Sequence, residues 1–450
     1  GKGKEYAYRS YFGRVMYSYA DRYLFQANIR HDGSSRFAKK HRWGTFPSFS
    51  AGWVLSEENF MKNLNWEWLS FLKIRATWGA LGNERIGDFP YMSTIAFGNT
   101  IFYQNNGIYF DQTASQQKYA IENVTWEKTE STDIGLDISF LNNRLRVNGD
   151  YYWKNTKDML LAMAIPDFLG FSDPDVNAGK MSTKGYELNV SWNDHIGDFS
   201  YGIAINFSDF TSKMGDLQGT QFLGDKVKME GSEFNEWYGY VSDGLFLTEE
   251  DLKNSPKIND KNTQLGDIKY KDISGPDGVP DGKISPEYDR VLLGSSLPHF
   301  LYGGNINLGY KNFDLSLAFQ GVGKQNARLA REMVEPFRNN YGNFPAIIDG
   351  NYWSPYNTDE QNAVAKYPRL THVNKSSNYA MSDYWLFNGG YFRLKNITLG
   401  YTFPKEWMNA IGIKGARIYA SASDLFCLSK YPKGWDPEMG VSEYPITTSI

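Results

Sequence analysis

Asp133-Ile134-Gly135-Leu136-Asp137-Ile138-Ser139-Phe140, a turn at Asn142-Asn143, and a return through Leu145-Arg146-Val147-Asn148-Gly149-Asp150-Tyr151-Tyr152-Trp153 decide how this chain folds. Ile134, Leu136, Ile138 and Phe140 share one parity, and Asp133, Gly135, Asp137 and Ser139 take the other. On the return, Leu145, Val147, Gly149, Tyr151 and Trp153 alternate with Arg144, Arg146, Asn148 and Asp150. Successive side chains of a strand point to opposite faces, so this is a hairpin with one oily and one charged face. A soluble sandwich turns the oily face toward a second sheet. An outer-membrane barrel turns it toward lipid and lines its lumen with the other.

The same unit recurs along the chain, at 11–19 with 23–29, 186–192 with 199–207, and 302–310 with 313–319. Their turns are expected at 20–22, 193–198 and 311–312. Strands at 45–53 and 72–80 share a connection of intermediate length, and 397–403 pairs with 416–422, making about twelve strands. With every short turn on one side, the loops at 31–43, 81–131, 154–185, 208–300 and 322–390 all fall on the other. That is the pattern of an all-β, transmembrane antiparallel β-barrel with short periplasmic turns and long extracellular loops. The 31 Tyr, 29 Phe and 13 Trp gather at strand ends, as aromatic girdles do where lipid meets water. A soluble, sugar-binding β protein is the competing reading, although structureless connections this long are uncommon in compact soluble domains.

The longest apolar run, 159–165, is far short of the ~18 residues of a membrane helix, so any spanning must be by strands. A net charge of −4 and a pI near 5.9 leave no nucleic-acid footprint. Residues 209–290 hold 17 acidic and 10 basic residues, a net −7 that suits a solvated loop. Cys427 is alone and makes no internal disulfide. His31, His41, His195, His299 and His372 are scattered singly, and no nucleophile elbow or phosphate loop is complete. The chain is therefore read as no enzyme and as requiring no cofactor. No signal peptide stands at Gly1 and a strand follows almost at once, so the chain is expected to be a fragment.

Asp272, Asp277 and Asp281 lie in a Gly/Pro/Asp-rich segment that resembles an EF-hand-like calcium loop, making a structural calcium the single metal candidate. Val279 occupies a ligand position and Tyr288 replaces the bidentate glutamate, and a turn without an ion is the other reading. Trp237, Tyr238, Tyr240, Trp353, Tyr356, Tyr384 and Trp385 are loop aromatics that could stack on sugars, anchor a protein partner, or pack the loops. Arg144, Arg146, Asp150, Glu187 and Asn189 take the lumen parity, where substrate contact and wall-stabilising charge pairs are equally open readings.

Specific strings add a further signal. Asp32-Gly33-Ser34-Ser35-Arg36-Phe37, Trp43-Gly44-Thr45-Phe46-Pro47-Ser48-Phe49-Ser50-Ala51-Gly52-Trp53 and Leu72-Lys73-Ile74-Arg75-Ala76-Thr77-Trp78-Gly79 with Gly82-Asn83 resemble the SusC/RagA family of TonB-dependent outer-membrane transporters. Tyr391-Phe392-Arg393-Leu394-Lys395-Asn396-Ile397-Thr398-Leu399-Gly400-Tyr401 and Gly434-Trp435-Asp436-Pro437-Glu438 resemble that family's closing region. The resemblance implies a 22-stranded barrel in the outer membrane of Bacteroidetes, importing oligosaccharides or oligopeptides. It also implies a SusD-like surface lipoprotein as lid, and TonB as the energy source. On that pattern residues 1–450 form part of one barrel domain, with the N-terminal plug, the TonB-contacting segment, the first strands and the last strand absent. A passive porin or adhesin barrel is the alternative.

Overall fold

The computed structural model describes residues 5–449 apart from 105–106, 117–118, 164–167, 169, 172, 220, 222, 260, 330–333, 339–343 and 440–446. Part of the expected longest apolar run, residues 164 and 165, lies outside the described residues. Twelve long strands pair in chain order in one antiparallel sheet. They are β1 (Tyr8–Tyr19), β2 (Tyr23–Ser34), β3 (Trp43–Val54), β4 (Leu69–Asn83), β5 (Glu127–Phe140), β6 (Leu145–Lys157), β7 (Met181–Ile196), β8 (Phe199–Met214), β9 (His299–Tyr310), β10 (Phe313–Lys324), β11 (Tyr391–Thr402) and β12 (Arg417–Ser429). Among the described residues no helix is long and apolar enough to cross a membrane.

The strands run further than the apolar alternation foresees. Side-chain polarity tracks lipid, whereas the backbone ladder continues past the lipid edge into water. β2 thus reaches Ser34, and β7 continues through Asn193 and Asp194, shrinking the expected turn at 193–198 to Gly197 and Asp198. The tight reversals use left-handed backbone, with positive φ at Ala20, Asp21, Asn142, Asn143, Gly197 and Lys311.

The chain divides into two compact units, residues 1–191 with 210–220 and 229–231, and residues 192–209 with 221–228 and 232–450. In the first unit the polarity is inverted relative to a soluble sheet. Ile74, Ile134 and Leu136 stand 41%, 50% and 39% exposed, while Asp137 and Asp150, on the opposite parity, keep only 19% and 16% of their side chains accessible. The outward face carries stacked rings at both ends. Tyr23 stacks on Trp53, and Trp68 on Phe140, at the turn end; Tyr11 and His31 stack on Trp43 at the loop end. Trp43 and Trp53 share a face ten residues apart on β3. At ~3.3 Å per residue and a tilt of ~40°, they are separated by about 25 Å along the normal, the height of a lipid-facing band.

The long loops carry cores of their own. In the first unit, Phe37, Phe46, Ile86, Val124 and Trp126 form a small core where the loops meet. A Cβ on Gly82 would collide with the Phe46 ring. In the second unit, Tyr240, Leu245, Ile268, Tyr270, Ile348, Trp385 and their neighbours form a larger core built entirely from loop residues. Arg393 on β11, 3% accessible, meets Glu438 at 3.0 Å and contacts Asp436, and Lys395 meets Asp424 at 2.7 Å.

The loop core has an ionic centre. Asp267, fully buried, accepts from Arg369 Nε at 2.7 Å, Asn378 Nδ2 and Asn374 Nδ2 at 2.8 Å each, and the backbone N–H of Gln264 at 2.9 Å. Arg369→Leu strands that carboxylate, which costs about 3–5 kcal/mol. In the full-length protein in detergent, hydrogen exchange over 240–290 and 345–388 is expected to accelerate strongly while β1–β6 keep their protection.

Candidate functional site

The polar face of β4, β5 and β6 is organised by Arg75. Register places Arg75 beside Gly135 and Gly135 beside Asp150, and the absent side chain leaves room for the guanidinium to reach across β5. Arg75 Nη2 donates to Asp150 Oδ2 at 2.7 Å and Nε to Asp137 at 3.3 Å, and Asp133 lies 3.7 Å away. Asn148 Nδ2 donates to Asp137 at 2.8 Å, and Lys73 stands 3.9 Å from the same carboxylate. The paired charges are satisfied laterally within the wall, so the face is polar without being a strong field of one sign.

Beside this cluster a groove of about 480 Å³ is lined by the polar Gln26, Ser50, Lys73, Arg75 and Thr77 and by the apolar Met16, Leu24, Phe25 and Ala51, with apolar surface the larger share. Hydroxyl, amide and cationic groups on a concave strand face can hold a polar, extended solute through several hydrogen bonds. Among the lumen candidates, only Asp150 joins the cluster. Arg146, Glu187 and Asn189 are exposed, and Arg144 donates its Nε to the Leu141 carbonyl at 3.0 Å in the turn. Arg75 as the hub was missed because the shared rung of β4, β5 and β6 is a register fact that no local pattern carries.

The loop aromatics sort clearly. Tyr240 and Trp385 are buried in the loop core, and Trp353 and Tyr384 pack against it. Tyr238 is buried beneath the Arg290 guanidinium, and Trp237 donates its indole N–H to the Asn326 carbonyl at 2.6 Å. Tyr356, 95% exposed, is the one candidate with an open ring face. Burial raises the Tyr384 phenol pKa. Nearby, burial works against the Lys269 ammonium, but Asp243 at 3.0 Å and Asp251 at 3.1 Å outweigh it and hold its pKa above the ordinary lysine value.

The expected calcium loop is organised by a residue the pattern passed over. Asp289, fully buried, accepts backbone N–H groups from Ile273 at 2.8 Å, Ser274 at 3.2 Å and Ser285 at 2.7 Å. It follows Tyr288, the residue aligned with the missing glutamate. Asp272 Oδ2 accepts from Gly282 N–H at 2.6 Å and Asp281 Oδ1 from Lys283 N–H at 3.0 Å, while Asp277 is exposed. Among the described residues no group of three or more His, Cys, Asp or Glu side chains is gathered to hold a metal ion.

Known proteins share this architecture. The TonB dependent receptor-like β-barrel family matches residues 2–425. The TonB-dependent receptor SusC of Bacteroides thetaiotaomicron is 33% identical over 96% of this chain and 41% of its own length. TonB-dependent receptor P3 of Formosa agariphila is 31% identical over 95% of this chain and 42% of its own. This chain thus spans less than half the length of the curated relatives it matches. The solved RagAB peptide transporter superposes with a TM-score of 0.77 at 23% identity, over 97% of this chain and 45% of that one, which bears on the fold.

Arg75→Ala leaves Asp133, Asp137 and Asp150 facing one another with Lys73, 3.9 Å from Asp137, as the remaining counter-charge of the cluster. The expected result is a loss of about 3 kcal/mol, read as a lower unfolding midpoint in detergent, with Arg75→Lys losing less because a point charge replaces the bidentate fork.

Proposed function

This chain belongs to the TonB dependent receptor-like β-barrel family of outer-membrane proteins, a transporter and receptor family rather than an enzyme class, and we propose that it is the C-terminal barrel part of a SusC/RagA-type nutrient importer. The observation that carries the reading is the inverted sheet, with exposed Ile134 and Leu136 backing the paired charges of Arg75, Asp137 and Asp150. The wall and loops would meet a large polar nutrient, while a plug and a TonB-contacting segment supply the energy-coupled step. Oligosaccharide is the leading substrate, supported by the neutral donors and acceptors Gln26, Ser50 and Thr77 in the groove. Oligopeptide is the second, supported by Lys73 and Arg75 beside them. In cells making the full-length protein, uptake of the nutrient should cease when the proton-motive force is collapsed. Uptake that persists would instead mark a passive porin.

A SusD-like lipoprotein lid belongs to the same proposal, supported by a hairpin in the loop between β4 and β5. Ile95–Gln104 pairs with Gly107–Gln116 so that Ile95, Phe97, Ile101, Ile108 and Phe110 share one face, each 61–83% exposed. A two-stranded hairpin with an exposed apolar face is marginal in water, and such a patch marks a protein contact. Replacing residues 95–116 with a short Gly/Ser linker should abolish co-purification of the lipoprotein in detergent; undiminished co-purification would place the lid elsewhere.

Calcium at Asp272, Asp277 and Asp281 is a separate proposal, supported by the buried Asp272 Oδ1, which lacks a hydrogen-bond partner. Calcium titration of the full-length protein should give heat that Asp272→Asn removes; no heat with the native protein ends the proposal.

A further inference from the structure

We propose that His299 is a proton-operated clamp that ties part of the long loop between β8 and β9 to the ends of those two strands. The clamp is independent of what the barrel carries. It joins three groups that lie far apart in sequence: His299 opens β9, Asp209 stands near the loop end of β8, and Glu233 lies in the loop between them. The imidazole is bracketed at both nitrogens, with Nδ1 2.8 Å from Asp209 Oδ1 and Nε2 3.4 Å from Glu233 Oε2. All three side chains are mostly covered, so water replaces these partners poorly.

The two carboxylates are held differently. Asp209 Oδ1 also accepts the backbone N–H of Phe300 at 3.2 Å, a residue in left-handed backbone with φ of 55°, so the end of β9 fixes this carboxylate against Nδ1. Glu233 reaches the ring from the loop. An imidazolium donates from both nitrogens, whereas a neutral imidazole carries one N–H and one lone pair. The nearer and better anchored Asp209 keeps that single proton at Nδ1, which leaves the Nε2 lone pair facing the Glu233 carboxylate. Loss of one proton therefore turns the loop contact from attraction to repulsion. Because the carboxylates sit at opposite nitrogens, the trio does not converge on one point, and among the described residues no group of three such side chains is gathered to hold a metal ion.

Other charges on the packed elements are Lys324, exposed and opposite His299 in register on β10, and in the loop Lys228, 5.5 Å from the Phe234 ring, and Glu236, which accepts the Glu233 N–H at 2.9 Å. The same stretch of loop is also tied by neutral bonds, from Ser296 Oγ to the Asn235 carbonyl at 2.7 Å and from the Trp237 N–H to the Gly294 carbonyl at 3.1 Å. Residues 236–240 then run into the loop core at Tyr240. Opening the clamp thus loosens 232–240 while the core persists. Histidine is the side chain whose ordinary charge change falls between pH 5 and 8. The clamp is closed in mild acid, where the ring is an imidazolium, and opens as pH rises.

The test is hydrogen exchange read by mass spectrometry on the full-length protein in detergent, at about pH 5.5 and about pH 8.5, both above the usual carboxylate range. Rates are corrected for the intrinsic pH dependence of exchange and referenced to β4–β6, which contain no histidine. The native protein is expected to protect 232–240 roughly tenfold better at the lower pH, the worth of one charge-assisted hydrogen bond. His299→Gln should remove that dependence. Glu233→Gln should remove it by the opposite route, because its amide donates to the Nε2 lone pair and the segment stays protected at both pH values. This variant keeps the ring and its Asp209 bond, and so carries the test where His299→Gln disturbs the fold. His372→Gln, at a ring stacked on Phe337 with centroids 4.9 Å apart, should leave the dependence intact. Equal protection of the native protein at the two pH values overturns the proposal, as does a dependence that survives in either the His299 or the Glu233 variant.

Discussion

Hydrocarbon offers no hydrogen bonds, so every backbone N–H and C=O within the bilayer must find its partner in a neighbouring strand. The rest of this structure follows from that requirement. Strands pair in chain order because tight reversals at Ala20-Asp21, Asn142-Asn143 and Lys311-Asn312 deliver each strand directly to its neighbour. Side chains then inherit the two faces of the sheet, and lipid selects the apolar one. What remains for the other face is the polar set, and Arg75 shows how it is stabilised, by Asp150 on its own rung and by Asp133 and Asp137 on β5 to either side of that rung.

Outside the bilayer the constraint is lifted and ordinary soluble physics returns. The loop core of the second unit buries Trp385, Tyr379 and Ile348 and satisfies Asp267 with two amides, a guanidinium and a backbone N–H. Asp289 does the same for the neighbouring turn through three backbone N–H groups and the Ser285 hydroxyl. Both carboxylates are fully buried. Of the seven loop aromatics singled out as candidate contacts, Tyr240, Trp385, Trp353 and Tyr384 belong to the loop core and Tyr238 is buried, whereas Tyr356 is open.

The strings that carry the family resemblance prove to be packing devices. Phe37 and Phe46 meet Trp126 in the first loop core, and Gly82 is bare so that the Phe46 ring can lie against it. Arg393 and Lys395, from the Tyr391–Tyr401 string, bind Glu438 of the Gly434–Glu438 string at 3.0 and 3.5 Å. These residues secure the junction between strands and loops.

The alternation seen at Ile134–Phe140 and its recurrences along the chain determined the strand count, the tight turns and the two-faced sheet, because a period of two is local and survives without knowledge of neighbours. It did not determine where strands end in water, since their ladders outlast the apolar pattern, as β7 does through Asn193 and Asp194. Only the tertiary structure decided that Arg75 meets Asp133, Asp137 and Asp150, that Asp289 joins Asp272 and Asp281 in bracing the 272–289 turn, and that Trp385 is buried. Each of these depends on which distant segments share a rung or a core, and that is set by register and packing, quantities that no single stretch of sequence contains.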